Sequence, residues 1–229
     1  MNTRSDFYQT HLNDVSRSFS FCIAQLKSPL KEWVGLSYLL LRVLDTIEDS
    51  AWISQAEKIK AFSAFDSALD GSSFTHYLPA LVSQVPVAEL KLYNDFPILV
   101  RDFNALPESI QSSIRSTVLN MSRGMQYFSL KYPQQGLRLN SLKEVNQYCF
   151  FVAGIIGELL TQLIRNFSDS QNLNQNLMTN SIRFGLCLQK INILKDQKED
   201  ESQGRFLVPN RSELLHSFTE DAHGALLYL

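Results

Sequence analysis

The sixteen residues GLSYLLLRVLDTIEDS (35–50) set the tightest limit on how this chain can fold. Leucine, isoleucine and valine fill most of the run, yet Tyr38, Arg42, Asp45, Glu48 and Asp49 interrupt it. Scattered around a helix, an arginine and three carboxylates would make burial ruinous. At about 100° per residue, however, Tyr38, Arg42, Asp45 and Asp49 share a stripe roughly 60° wide, with Glu48 at its edge. Leu39, Leu40, Leu41, Val43, Leu44 and Ile47 take the opposite side. The spacing therefore predicts a buried helix, starting near Pro29, a residue suited to a first turn, and ending about Asp49. Its one polar line faces something that needs it.

The arithmetic repeats in LQKINILKDQKED (188–200), where Gln189, Asn192, Asp196 and Asp200 fall within roughly 80° of one another. Ile191, Ile193 and Leu194 flank them. Two helices thus each carry an Asp-x-x-x-Asp pair. Carboxylates one turn apart repel by a few tenths of a kcal/mol when exposed, and cost several kcal/mol when buried without partners. A hard divalent cation is their natural partner, and Mg²⁺ prefers carboxylate oxygens together with substrate phosphates. Two such helices facing one another would hold Mg²⁺ and, through it, a diphosphate. Arg17, Arg42, Lys195 and Arg205 are placed to neutralise that diphosphate as it departs. The apolar stretch 150–164 would line a dry cavity that keeps water from a carbocation. Taken alone, DQKEDESQGR is read equally well as a solvated helix end. Its agreement with the first stripe favours the metal reading.

Helical periodicity runs through nearly the whole chain. SQAEKIKAFSAFDSAL (54–69) repeats apolar residues every three or four positions, and DGSSF breaks it. Further helices are expected at 87–104 and at 107–131, the second closed by KYPQQG. SLKEVNQYCFFVAGIIGELLTQLIRNF (141–167) opens on a Ser-x-x-Glu capping box and is apolar nearly all round, which places it in the interior. A polar linker (168–176) leads into the helix of the second stripe. With no alternating strand and no internal repeat, the fold class is all-α, and 229 residues suit one domain. The chain stops at HGALLYL inside an apolar helical run, so it is expected to be a fragment.

Composition narrows the function. A net charge of −2 offers no bulk attraction to nucleic acid. Cys22, Cys149 and Cys187 are far apart in apolar surroundings, and are expected to be buried thiols in a reducing compartment, not disulfides or zinc ligands. The N-terminus lacks a signal-peptide core, and no run reaches the ~18 apolar residues of a membrane span. A soluble cytoplasmic protein is expected, with peripheral association at a membrane surface compatible and the oligomeric state open. A di-iron bundle would want Glu-x-x-His on two helices, which His11, His76, His216 and His223 do not supply. There is no Gly-x-Ser-x-Gly, dinucleotide fingerprint or Walker loop.

Four segments, SRSFSF (16–21), YLLLRVLDTIED (38–49), YCFFVAGIIG (148–157) and LQKINILKDQKEDESQGRFLVP (188–209), resemble the squalene/phytoene synthases in order and spacing. These are the head-to-head branch of the trans-isoprenyl diphosphate synthases. LQK–NI and the paired aromatics of YCFFVAG are closer to squalene synthases than to phytoene synthases. The resemblance implies an isoprenoid synthase-type helical bundle around a central apolar cavity, and ligation of Mg²⁺ by Asp45, Asp49, Asn192, Asp196 and Asp200. It implies diphosphate contacts from Ser16, Arg17, Ser18, Tyr38, Arg42, Gln189 and Lys195. Tyr148 takes the place of a catalytic tyrosine, with proton removal as its role, and Phe19, Phe151, Val152 and Ile155 line the prenyl-chain pocket. Ordinary core packing explains these last five as well, and Glu158 is read as a polar rim or an ion pair.

The reaction implied joins two farnesyl diphosphates to presqualene diphosphate and, with hydride from NADPH, gives squalene. Without hydride the product is dehydrosqualene, and with twenty-carbon substrates it is phytoene. No motif announces NADPH. Lys195 stands where the family has arginine, which keeps the charge and loses the bidentate fork. The family also continues for several helices that this chain is expected to lack. The competing readings are a head-to-tail prenyltransferase or class I terpene cyclase with the same carboxylate logic, and a non-enzymatic phytoene synthase-like assembly factor.

Overall fold

The computed structural model describes residues 4–50, 54–71, 85–131, 136–168 and 175–226, without the side chains of Arg17 and Gln175. Its regular structure is helical: α1 (Arg4–Val15), α2 (Arg17–Ala24), α3 (Leu30–Asp49), α4 (Gln55–Leu69), α5 (Val87–Asn94), α6 (Phe96–Asn104), α7 (Glu108–Lys131), α8 (Leu142–Cys149), a π-helical turn (Phe150–Gly154), α9 (Ile155–Ser168), α10 (Gln175–Ser202) and α11 (Arg211–Leu226). The only bridge between extended residues among those described joins Arg138 and Phe206 in parallel. The chain forms two compact units, Met1–Ser122 with Asn166–Ser168, and Arg123–Arg165 with Asp169–Leu229.

In the first unit α3 is the axis, and α1, α2, α4, α5 and α6 pack on it. Leu39, Leu40, Val43, Leu44 and Ile47 lose all contact with solvent, each burial stabilising by roughly 1.5–3 kcal/mol before entropy is counted. Phe62, Phe65, Phe96 and Phe103 complete the core, with Phe65 stacked on Phe96 at 5.0 Å. The buried hydroxyls of α3 do not break its packing. Ser37 donates to the Trp33 carbonyl at 2.7 Å and Thr46 to that of Arg42 at 3.0 Å, the back-bond one turn earlier that satisfies such groups. α1 is fixed by polar contacts: Tyr8 donates to the buried Asp102 of α6 at 3.0 Å, and Arg4 pairs with the same carboxylate at 3.0 Å.

In the second unit α10 is the axis, packed against α11, the π-helical turn and α8. Two glycines let the backbones approach. A Cβ on Gly157 would lie 2.0 Å from the Ser181 carbonyl oxygen, and one on Gly185 would lie 2.4 Å from that of Ala153. Lys190 of α10 is 1% exposed and donates to Ser217 at 2.7 Å and to Asp221, both on α11. Phe128, Leu139, Val145, Tyr148, Cys149, Ile193, Leu207 and Leu214 form the apolar core.

Several expectations need correction. α1 and α2 precede the first helix expected: α1 is mostly polar and buries only Tyr8, His11 and Leu12, and α2 is only eight residues long. The stretch 87–104 is two helices, since Pro97 sits in the first turn of α6 and Asp95 ends α5. The helix at 141–167 changes to π-helical pitch at Phe150. Leu142–Ser168 holds no unbroken apolar run of membrane-span length, yet by overall composition it is long and apolar enough to cross a membrane, with 44% of the window buried inside the structure. Cys149 is buried, but Cys187 is half-buried and Cys22 exposed. Most of DGSSF, of KYPQQG and of the 168–176 linker, with His76 and the final three residues, lies outside the described residues.

Candidate functional site

The polar line of α3 emerges where the helical arithmetic puts it: Tyr38, Arg42 and Asp45 are half-buried and Asp49 exposed, on a helix otherwise deep in the core. Ser16 caps α2 by accepting the Phe19 amide at 3.3 Å, and its hydroxyl opposes the rise that burial imposes on the Tyr38 phenol. The Phe19 ring lies 5.4 Å from that of Tyr38, with 54% of the residue still exposed. Part of the SRSF signal is therefore a helix start docked on the stripe. Ser18 is exposed, and the side chain of Arg17 is not among those described.

Arg42 has two carboxylate neighbours. One is Glu89 of α5, a close ion pair; the other is Asp45, 3.8 Å away on the next turn. Asp45 carries the main electrostatic tension. Burial first, then the negative charges of Glu48 and Asp49, push its carboxyl up to about 8, against the opposing pull of Arg42. A cation beside Asp45 would reverse that penalty. Among the described residues no three His, Cys, Asp or Glu side chains gather into a metal cluster. The donor chemistry nevertheless fits a hard cation that keeps part of its water shell and takes its remaining oxygens from a ligand.

In the second unit the stripe of α10 is graded. Asn192 is exposed, Asp196 has 43% of its side chain open and Asp200 17%. Lys195 is largely exposed and lies 3.3 Å from Asp196; Gln189 is half-buried. After α10 the chain turns at Gly204 (φ +79°), and Arg205 folds back. Its amide donates to the Asp200 carbonyl at 2.8 Å, its Nε lies 3.7 Å from the Asp200 carboxylate, and its Nη2 donates to the Tyr148 hydroxyl at 3.3 Å. Arg205 thus joins the end of the carboxylate motif to the tyrosine. The arm is held by Phe206, whose amide donates to Leu137 at 2.7 Å and whose ring lies 3.9 Å under the Arg138 guanidinium.

Tyr148 is 3% exposed, with the ring of Phe128 edge-on at 5.4 Å. It is a core residue whose polar tip is held by an arginine. Of the expected pocket residues, Ile155 is buried and Val152 packs against the core. Phe151 lines an open groove of about 560 Å³ with Leu142, Lys143, Asn146, Gln147 and Phe150. Glu158 accepts from Gln162 at 3.2 Å, an ordinary pair along one helix face. Sequence reasoning missed Glu89, which lies in no motif, 47 residues from its partner. It also passed over Lys190, whose burial a lysine inside LQK does not announce.

The squalene/phytoene synthase family pattern matches residues 12–223. The chain is 33% identical over 214 residues to a squalene synthase of Candida albicans, covering 92% of this chain and 46% of that protein. It is 34% identical over 206 residues to that of Saccharomyces cerevisiae (86% and 44%) and 33% over 202 residues to that of Homo sapiens (87% and 45%). The chain thus spans less than half the length of these relatives. Among solved structures, a ligand complex of TcSQS superimposes with a TM-score of 0.77 at 23% identity, covering all of this chain and 69% of that one. A dehydrosqualene synthase complex does so at 0.60 and 18% identity (98% and 74%). At these identities the likeness establishes a shared all-α fold.

Proposed function

Because the chain belongs to the squalene/phytoene synthase family, we propose that it acts in the Mg²⁺-dependent head-to-head condensation of two farnesyl diphosphates to presqualene diphosphate and, with NADPH, to squalene. The observation that carries the reading is Asp45, a half-buried carboxylate facing the charges of Glu48 and Asp49 on a helix otherwise committed to the core. Asp45 and Asp49 on α3, and Asn192, Asp196 and Asp200 on α10, would hold Mg²⁺. Bound there, the ion supplies Lewis-acid stabilisation of a leaving diphosphate.

The chain's own residues do the rest. Arg42, Tyr38 and the Ser16 hydroxyl offer donors to diphosphate oxygens on the first stripe, and Gln189 and Lys195 do so on the second. Prenyl chains would contact Phe19 in the first unit, and Phe151, Val152 and Ile155 in the second. In its ionised form the Tyr148 oxygen would take the proton lost as the cyclopropane closes, becoming a neutral phenol, and the Arg205 guanidinium beside it would stabilise the tyrosinate before that transfer. No group among the described residues is matched to NADPH, so the reductive step rests on the likeness to squalene synthases. The dehydrosqualene synthase of similar fold supports the alternative, condensation without reduction.

The test is product analysis by mass spectrometry after incubation with farnesyl diphosphate and Mg²⁺, with and without NADPH, and with EDTA as the control. Squalene is expected with NADPH. Dehydrosqualene or presqualene diphosphate in both lanes would retain the condensation and remove the reductive step. Full turnover by Asp45→Asn or by Asp196→Asn would sink the carboxylate mechanism.

A further inference from the structure

Glu89 belongs to none of the four segments that carry the family resemblance, yet it makes the tightest described contact of Arg42. The guanidinium stands between two carboxylates, Glu89 on α5 and Asp45 one turn along α3. The planar fork is turned toward Glu89. Glu89 holds Nη2, and Asp45 is left at 3.8 Å from Nη1, beyond hydrogen-bonding range. The Nε–H of Arg42 is buried and meets no acceptor among the described residues.

The element that presents Glu89 is itself held. α5 packs on α3 and α1, its Leu92 and Tyr93 are buried, Lys91 pairs with Asp14 at 3.5 Å, and Asp95 at its end holds His11 at 3.0 Å. The Glu89 side chain is only 17% exposed. A charge on so fixed a support can restrain a long side chain on its neighbour.

We propose that Glu89 is a positioning residue: it draws Arg42 away from Asp45, so that Asp45 stays open to a divalent cation. The inference rests on the reading of the α3 stripe given under Proposed function. Without Glu89, the nearest carboxylate to the freed guanidinium is Asp45, and an Arg42–Asp45 ion pair would close across the cation's place. The rival account is that Glu89 merely adds negative charge nearby and attracts the cation through space. The two accounts part when Arg42 is removed: the restraint then has nothing to act through, whereas a through-space charge still acts.

The experiment is Mn²⁺ titration of the metal-free chain, with free Mn²⁺ read by electron paramagnetic resonance in the presence of inorganic pyrophosphate. Asp196→Asn and Asp200→Asn are present throughout, so that the α3 stripe alone reports. Glu89→Gln, Glu89→Asp, Arg42→Met and the Glu89→Gln/Arg42→Met double variant are compared, with Arg42→Gln standing in should the methionine variant lose its helical circular dichroism. Glu89→Gln is expected to raise the Mn²⁺ dissociation constant roughly tenfold, a typical coupling for charged neighbours. Glu89→Asp should recover part of the loss, and Glu89→Gln should have no effect once Arg42 is gone. Unchanged binding in Glu89→Gln, or the same loss with and without Arg42, overturns the inference alone. No Mn²⁺ binding before Glu89 is changed overturns it together with the metal reading beneath it.

Discussion

Replacing Asp45 by asparagine should stabilise the metal-free protein while weakening its response to Mg²⁺. The carboxyl, ordinarily near 3.8, is held at about 8 in the folded chain by burial and by Glu48 and Asp49. Across that interval the folded state keeps a proton that the unfolded chain releases, so stability falls as pH rises from about 4 to about 8. Asparagine carries no such proton and escapes the loss. At ~1.36 kcal/mol per pH unit the full interval bounds the effect near 5–6 kcal/mol. With 36% of the side chain open to solvent, screening reduces this to roughly 1–2 kcal/mol. In melting temperature that is roughly 3–6 °C for a chain of this size. Circular dichroism melts in EDTA from pH 4.5 to pH 8.5 would follow it. The gain of Asp45→Asn over the wild type should be near zero at the acid end and grow to a plateau above about pH 8. Mg²⁺ should then raise the melting temperature of the wild type more than that of Asp45→Asn. A pH-independent difference, or an asparagine variant less stable at pH 8 than the wild type, would refute the electrostatic argument.

Two further outcomes follow from the second unit. Lys190→Met should cost about 3–5 kcal/mol in urea denaturation, because it strands Asp221 in a largely buried place. Lys190→Met with Asp221→Leu should recover most of that loss, and a double variant as unstable as the sum of the singles would show the pair is not the cause. Gly157→Ala should lower stability by ~1–3 kcal/mol or more, since its Cβ meets backbone atoms of Ser181 that no rotamer change can clear. An unchanged melting temperature would mean the two helices can part without cost.

What the sequence revealed was what periodicity controls. The bounds of α3, α4 and α7 were legible because their apolar residues recur at helical spacing, and the two carboxylate stripes followed from counting residues along one helix. Ser54 caps α4 by accepting the amide of Glu57, and Ser141 caps α8 as its Ser-x-x-Glu motif announces, accepting that of Glu144. The reciprocal half of the second capping box is displaced by one residue: Glu144 accepts from the amide of Asn140 at 2.8 Å. What stayed hidden depends on distant partners. Glu89 is an unremarked glutamate until α5 lies beside α3, and Lys190 is an ordinary lysine until α11 covers it. Arg205 was foreseen as a diphosphate ligand, but its bond to Tyr148 spans 57 residues and has no local signature. α1 escaped notice because much of what fixes it is hydrogen bonding, which leaves no apolar rhythm.

The π-helical turn at Phe150–Gly154 acts as a phase slip in a screw thread. A π turn takes up more residues than an α turn, so α9 restarts its rotation with an offset from α8. Counted straight through in α-helical turns, one residue of offset would swing Gly157 by about 100°. That would turn it from the Ser181 carbonyl, where only a hydrogen fits, and bring a bulkier neighbour into the crossing. The slip lets one continuous length of helix meet two differently timed surfaces. Before it, Val145, Tyr148 and Cys149 are set against the apolar core; after it, Gly157 is set against Ser181 of α10. The orientation of the tyrosine and the spacing of the helix crossing can therefore change independently, although only a few residues separate them along the chain.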